Sequence, residues 1–453
     1  MSFKHNDTIV ALSTPPGIGA IGVIRLSGPK ALEISNQVFK GNDLTNAASH
    51  TLHHGWVRDG EAIIDEVVAG IFVSPKSYTG EHVVELSCHG SPYVQQRIIE
   101  VLLKHGARLA EAGEFTLRGF LNGKMDLSQA EAVADLIAST HGTAHELALQ
   151  QMRGGFSRVI ATLREQLLKF AALVNLELDF SEEDVEFADK EALYKLVREL
   201  LDEVEKLRAS FVVGNVLKNG VATVIAGRPN AGKSTLLNAL LNEERAIVSD
   251  LAGTTRDTIE EVLNIRGILF RLIDTAGIRD ANDAIERLGV ERTMEKIRTS
   301  ALVVYVFDVL EISTEEVAVD LKRLHTEGST LICVGNKVDG WEGDRSLYPE
   351  ETVFISAKDK QHLKVLEDVL YKSVTGGATA MDQTIVSNAR HLDALNKTAA
   401  ALIDVLEGLD NNISGELLAL DIRNALEYLG EITGEVTNED LLDFIFSKFC
   451  IGK

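Results

Sequence analysis

Two hydrophobic rhythms divide the chain. Residues 1–120 carry short apolar runs with alternating character at Thr8–Leu12, Ile21–Leu26, Val67–Val73 and His82–Cys88. Alternation puts every second side chain on one face, so these segments are expected to be strands. Gly/Pro turns such as Pro15-Pro16-Gly17 separate them, and three- and four-residue apolar steps predict helices at Lys30–Phe39 and Pro92–His105. The first segment thus reads as a small α/β or α+β domain. Residues 121–217 change to helical periodicity, at Leu127–Ser139, Phe156–Leu178 and near Glu191–Val212. The acidic break Asp179–Asp189 reads as a solvated turn more simply than as a cation site. Residues 218–378 alternate strand and helix, with strands expected at Ala222–Ala226, Leu269–Asp274, Leu302–Asp308, Thr330–Asn336 and Val353–Ser356. Residues 379–453 return to helix. The expected fold class is multidomain, α/β plus all-α. A nucleotide-binding domain is inserted into a helical domain whose two halves pack together, because neither has an obvious core of its own.

Composition changes this picture little. The 453 residues are 45% hydrophobic and 25% charged, ordinary for a globular chain with a full core. The net charge of −23 argues against a surface given over to nucleic acid, but leaves room for a local basic patch or a basic partner. Cys88, Cys333 and Cys450 form no C-x-x-C pair and suit a reducing cytoplasm. No stretch is long and apolar enough to predict a membrane span.

Candidate chemistry changes it a great deal. Gly227-Arg-Pro-Asn-Ala-Gly-Lys-Ser234 is a complete phosphate-binding loop. Asp274-Thr275-Ala276-Gly277, Asn336-Lys337-Val338-Asp339 and Ser356-Ala357-Lys358 follow it in order. Four motifs in this order and spacing define a guanine-nucleotide switch of the P-loop, Ras-like kind. Backbone N–H groups from Asn230, Ala231 and Gly232 through Lys233, Ser234 and Thr235 would face phosphate at a helix N-terminus. Lys233 would reach the terminal phosphates and Ser234 would ligate Mg²⁺. Asp274 would hold the Mg²⁺ shell, and the Gly277 N–H would sense the γ-phosphate. The Asp339 carboxylate accepts from both N–H donors of a guanine edge; adenine would leave it unpaired, so GTP is expected over ATP. Ile278 stands where small regulatory GTPases often place a water-orienting Gln, so hydrolysis must draw on another group. Glu286, Arg256, Asp257 and Arg279 are candidates, each also readable as a solvated loop residue. Asn230 offers an amide oxygen to a monovalent cation beside the phosphates. The segment Ser249, Asp250, Leu251, Ala252, Gly253, Thr254 and Thr255 could close over the nucleotide, with carbonyls for that cation and a Thr hydroxyl for Mg²⁺.

Further motifs run end to end: Thr14-Pro15-Pro16-Gly17, Ile24-Arg25-Leu26-Ser27-Gly28, Tyr78-Thr79-Gly80-Glu81, His89-Gly90, Gly113-Glu114-Phe115-Thr116, Phe120–Leu127, Gly227–Asp257 and the terminal Phe449-Cys450-Ile451-Gly452-Lys453. With these the chain resembles the MnmE (TrmE) family of bacterial tRNA-modifying GTPases. The resemblance implies an N-terminal folate-binding and dimerising domain (1–120), a helical domain in two parts (121–217 and 379–453) and an inserted G domain (218–378). It implies that Arg25, Glu85, Lys124 and Lys453 contact a formyl- or methylene-tetrahydrofolate, that Asn230, Ser249, Leu251 and Thr254 hold K⁺, and that Ser234 and Thr255 hold Mg²⁺. It also implies that Glu286 orients the attacking water. Carboxylates of a folate suit Arg and Lys, and its pterin N–H donors suit Glu. The implied activity is modification of the tRNA wobble uridine at C5 by a cytoplasmic homodimer working with an FAD-dependent MnmG (GidA) partner. Cys450 reads equally as a functional thiol or a packed one; Cys88 and Cys333 read as packing and His89 as a turn residue. The alternatives are a ribosome-assembly GTPase, which would want a basic RNA-binding domain, and a folate-regulated scaffold.

Overall fold

The computed structural model describes residues 7–179, 190–243, 261–273, 300–325, 329–375, 384–411 and 413–453. It divides into two compact units, one of Met1–Ile137, Gln150–Leu200 and Lys397–Lys453, the other of Ala138–Leu149 and Leu201–Asn396.

The first unit is built on a seven-stranded sheet. In chain order its strands are β1 (Ile9–Leu12), β2 (Ile21–Ser27), β3 (Phe39–Lys40), β4 (Thr51–Asp59), β5 (Ala62–Phe72), β6 (Val83–His89) and β7 (Arg108–Leu109), arranged β3-β4-β5-β6-β2-β1-β7. Helices α1 (Ala31–Val38) and α2 (Pro92–Lys104) cover one face. Ile34, Val38, Ile98, Val101 and Leu102 pack there against inward-facing Val67, Ala69 and Ile71 of β5. The other face stays open along β4 and β5, where Leu52 and Val68 are 75% and 37% exposed. That explains why β4 is not evident in the sequence: its large apolar residues Leu52 and Trp56 point outward, and Gly55 and Val57 face the core. In helix α3 (Glu114–Leu121) six consecutive residues, Glu114 to Gly119, are all buried, charged and apolar alike, so its burial does not follow a single face.

Helices α4 (Leu127–Ala138), α5 (Gly142–Met152), α6 (Gly155–Asp179) and α7 (Lys190–Asn219) follow. After the nucleotide-binding segment come α11 (Ala389–Asp410), α12 (Gly415–Thr433) and α13 (Glu439–Phe446). Within the first unit α6 packs on α12, and α3 and α4 share a core with α13 through Leu117, Leu127, Ile445 and Phe446. Helical segments from either side of the insertion therefore complete one another's core, as the sequence led one to expect.

The second unit holds a six-stranded sheet of β8 (Val221–Ala226), β9 (Glu261–Ile265), β10 (Ile268–Leu272), β11 (Leu302–Asp308), β12 (Thr330–Asn336) and β13 (Val353–Ile355), ordered β13-β12-β11-β8-β10-β9. Only β9 runs antiparallel to its neighbour. Helices α8 (Lys233–Glu243) and α10 (Leu363–Thr375) share one apolar core, and α9 (Thr314–Leu324) belongs to another with β11. All seven residues of β11 are buried, as in a central strand covered on both sides. From β8 the chain crosses first toward β10 and then back to β11, so the ends of β8 and β11 flank the switch point where doubly wound folds bind ligands. Among the described residues no helix is long and apolar enough to cross a membrane.

Candidate functional site

Strand β8 delivers the chain to Gly227, whose φ of 151° and crowding require glycine: a Cβ would lie 2.0 Å from the Val306 carbonyl oxygen. Gly232 is similarly constrained, with φ 90° and the Asn336 Nδ2 only 2.2 Å from a would-be Cβ. Asn230 takes φ 62°, a conformation that asparagine tolerates better than most residues. The loop then opens directly into α8 at Lys233. Lys233 Nζ donates to the carbonyls of Gly227 (2.8 Å) and Arg228 (2.7 Å), and burial pulls its pKa below the usual lysine value. Ala231 is buried, while Asn230, Ser234 and Thr235 are exposed at the mouth of the loop. An ammonium has three N–H groups, so one remains for phosphate.

The base side is assembled by one buried amide. Asn336, 2% exposed, donates from Nδ2 to the Ala231 carbonyl at 2.9 Å and accepts at Oδ1 from the Ala357 N–H at 3.0 Å. It thereby fastens the phosphate loop to both base-recognition motifs. Asp339 accepts from the Ser356 hydroxyl at 2.7 Å, and that bond, with Lys358 and Lys337 nearby, holds its carboxyl below the ordinary value. Each carboxylate oxygen has two lone pairs, so capacity remains for both N–H groups of a guanine edge. Ser356 and Ala357 are buried and Lys358 is exposed. Lys337, in a left-handed conformation (φ 71°), reaches Asp308 Oδ2 at 2.5 Å, which raises its pKa. Asp308 escaped sequence reasoning. Its signal was an acid ending an otherwise apolar strand, and the structure buries that acid against the Lys337 ammonium and the Leu310 N–H.

The remaining nucleotide candidates, Ser249 to Thr255, Asp274 to Gly277 and Glu286, lie outside the described residues, as do Arg256, Asp257, Ile278, Arg279 and nearly all of the acidic break.

In the first unit, the pairing of β2 with β6 sets Arg25 directly opposite Glu85. The guanidinium meets Glu85 Oε1 from Nε and from a terminal nitrogen, each at 2.8 Å. It also lies 5.6 Å from the Tyr78 ring and 5.7 Å from the Phe115 ring. The C-terminal tail closes this corner. Gly452 O accepts from Ser13 (3.2 Å) and Arg25 (3.4 Å), and Phe115 N–H donates to Lys453 O (3.2 Å). Gly452 needs its freedom here, with φ 96° and the Leu12 carbonyl oxygen 2.3 Å from a would-be Cβ. Burial, then the Arg25 charge, lowers the Lys453 ammonium pKa. Arg25, Glu85 and Lys453 thus converge. Lys124 sits on the neighbouring turn instead, its Nζ donating to the Pro75 carbonyl at 3.1 Å and its stem packed beside Gly80. The corner offers two cations and one carboxylate, a donor set that fits a ligand bearing carboxylates and N–H donors.

Cys450 is exposed. Cys88 and Cys333 are buried, and burial pushes each thiol up to about 11, the range of inert packing cysteines. His89 ends β6 and bonds Asp65 through Nδ1 at 2.7 Å.

The family model described as GTP-binding protein TrmE N-terminus matches residues 8–124, and that of the MnmE helical domain matches 127–450. A tRNA modification GTPase MnmE of Cytophaga hutchinsonii is 53% identical over 99% of this chain and 98% of its own length. Proteins of the same name from Christiangramia forsetii and Flavobacterium psychrophilum are 52% and 53% identical, again over 99% of this chain and the whole of theirs. Among solved structures, Era of Aquifex aeolicus is 26% identical, covers 40% of this chain and 67% of its own, and has a TM-score of 0.27, too low for comparing folds. The full-length identity and the matched domains settle the assignment: the chain belongs to the MnmE family of tRNA modification GTPases, a family of GTP hydrolases.

Proposed function

We propose that this GTP hydrolase modifies C5 of the tRNA wobble uridine, installing an aminomethyl or carboxymethylaminomethyl group with a one-carbon unit from a tetrahydrofolate. An FAD-dependent MnmG-type protein is the proposed partner, and tRNA is met through the complex in the cytoplasm. The observation that carries this reading is the presence on one chain of two dissimilar constellations: the glycine loop that Asn336 fastens to Ala357 beside Asp339, and the Arg25–Glu85–Lys453 corner.

At the first site Lys233 and the backbone of Asn230 to Thr235 bind phosphate oxygens, and Asp339, braced by Ser356, selects guanine. Ala357 and Lys358 support the base. Ser234 and Thr255 hold Mg²⁺, which when bound supplies charge neutralisation at the phosphates. Asn230, Ser249, Leu251 and Thr254 hold K⁺. Asp274 to Gly277 respond to the γ-phosphate, and Glu286 orients the attacking water, a task Ile278 cannot perform. At the second site Arg25 and Lys453, with Lys124 from the adjacent turn, bind carboxylates of the folate, and Glu85 accepts from its pterin N–H groups. Cys450, exposed beside Lys453, is the proposed functional thiol.

The proposal includes a homodimer through the N-terminal domain. The open face of β4 and β5, with Leu52, Trp56 and Val68 exposed, is the surface a second copy would cover. It also keeps the four-part division 1–120, 121–217, 218–378 and 379–453. GTP hydrolysis in KCl against NaCl at equal ionic strength tests the cation, and nucleoside analysis of tRNA from a deletion strain tests the modification. Equal rates in the two salts would remove the K⁺ site from the account, and intact wobble uridine modification would remove the reaction.

A further inference from the structure

We infer that Arg228 is a positioning residue for Lys233, setting the geometry of the phosphate loop from outside the nucleotide site. The motif leaves this second loop position unspecified, and the phosphate argument makes no use of its side chain. In the structure that side chain turns away from the loop onto α9. Nε donates to Asp320 Oδ2 at 2.9 Å and a terminal nitrogen donates to Glu316 Oε1 at 2.7 Å. Positions 316 and 320 are one helical turn apart on the same face, so the planar guanidinium fork spans both carboxylates. A lysine has one nitrogen and cannot reproduce that span.

The anchor is itself held. Asp320 Oδ2 also accepts from the Tyr305 hydroxyl at 2.7 Å, and Tyr305 is 1% exposed within β11. Glu316 uses its second oxygen in the capping box of α9, accepting from the Ser313 N–H at 3.1 Å. Behind them Val317, Ile312 and Phe307 fix α9 to the sheet. Arg228 therefore ties the loop to a rigid element.

The consequence lies at its backbone. The Arg228 carbonyl is one of the two acceptors that hold the Lys233 ammonium. The positions of those two carbonyls fix where the remaining N–H points, so a displaced Arg228 carbonyl misdirects the phosphate contact. Arg228 and Glu316 side chains are 39% and 47% exposed, and exposed ion pairs add little to fold stability. The tether should accordingly be felt in nucleotide handling and hardly at all in unfolding.

This inference rests on the reading that Gly227–Ser234 holds the nucleotide phosphates, and the experiment separates the two. Full-length wild type, Arg228→Ala, Arg228→Lys, Asp320→Asn, Arg228→Ala/Asp320→Asn and Lys233→Ala are compared for fluorescent GTP-analogue affinity, kcat, KM and thermal unfolding. The expected result is about tenfold loss of kcat/KM in Arg228→Ala. Tm should stay within about 2 °C of wild type. Arg228→Lys should recover part of the loss, and the double variant should be no worse than Arg228→Ala alone. Unchanged affinity and kcat/KM in Arg228→Ala, a loss that only follows Tm, or strict additivity with Asp320→Asn overturns the positioning role while leaving the loop assignment intact. Undiminished affinity and turnover in Lys233→Ala instead overturns the loop assignment, and the inference with it.

Discussion

In the proposed function the phosphate loop and the Arg25–Glu85–Lys453 corner solve the same problem, presenting cations to an anionic ligand, by opposite constructions. The loop is one unbroken stretch whose shape follows from backbone geometry: two glycines at positive φ, Asn230 between them and a helix opening at Lys233. The corner has no local logic. Its Arg25–Gly452 bond spans 427 positions, and it exists only because β2 pairs with β6 in one register and the C-terminal tail docks beside both. A contiguous site depends on local conformation and on what braces it. A dispersed site depends on register and docking, so it should be breakable from positions that touch no ligand.

The largest effects are expected where the contiguous site meets charge. Lys233→Ala removes the ammonium aimed at phosphate, and kcat/KM for GTP should fall by ~100-fold or more. Asp339→Asn exchanges an acceptor for a donor at the base edge. Affinity for GTP should fall ~100-fold and xanthosine triphosphate should become the better ligand, a reversal that competition binding would reveal or refute. Next comes the corner. Glu85→Gln leaves Arg25 half-buried without a charged partner, and binding of 5-formyltetrahydrofolate should weaken by ~30-fold while GTP affinity stays unchanged. A parallel loss of GTP affinity would mean that the two sites are not distinct in the way the comparison requires.

A smaller effect tests docking alone. Gly452→Ala forces a side chain into a left-handed conformation against Leu12, a strain of about 1–3 kcal/mol. Hydrogen exchange at the Gly113 and Phe115 amides, which bond the tail, should quicken by that amount; unaltered exchange would show that the tail is held some other way.

The smallest expected effect is an acid limb in the first unit. Burial alone would raise the carboxyls of Asp7 and Glu114, but hydrogen bonds and charge from Arg108 and Arg118 outweigh it and hold both below their ordinary values. A depressed folded pKa contributes stability above the unfolded value and loses it as pH falls through the folded one. Unfolding followed at Trp56, in a Trp341→Phe background, should therefore be level from pH 7 to ~5 and decline below ~4. Asp7→Asn should flatten part of that decline, and an unaltered slope would remove Asp7 from the network.

The same contrast explains what could be read in the sequence. The loop, Asn336-Lys337-Val338-Asp339 and strands such as Leu302–Asp308 follow from neighbouring residues and appear where expected. The hidden elements are those set by distant partners. Strand β4 turns its large apolar residues outward, and α3 buries Glu114 and Arg118 along with its apolar residues. Within the site, Arg25, Glu85 and Lys453 are legible through family resemblance alone, since no spacing reveals a register. Lys124, named with them, stands on the neighbouring turn. Asn336 is legible as a member of the Asn336-Lys337-Val338-Asp339 motif, but that its amide joins the loop to Ala357 is not. Asp308 and Arg228 act through partners brought near by the sheet and α9, which a linear motif does not specify.

Calorimetric titration of a non-hydrolysable GTP analogue and of 5-formyltetrahydrofolate into wild type, Lys233→Ala and Arg25→Ala tests the central claim of two dissimilar ligand sites on one chain most directly. The account predicts that wild type binds both ligands, that Lys233→Ala loses the nucleotide alone and that Arg25→Ala loses the folate alone. Failure of wild type to bind the folate, or loss of both ligands from either single substitution, would contradict it.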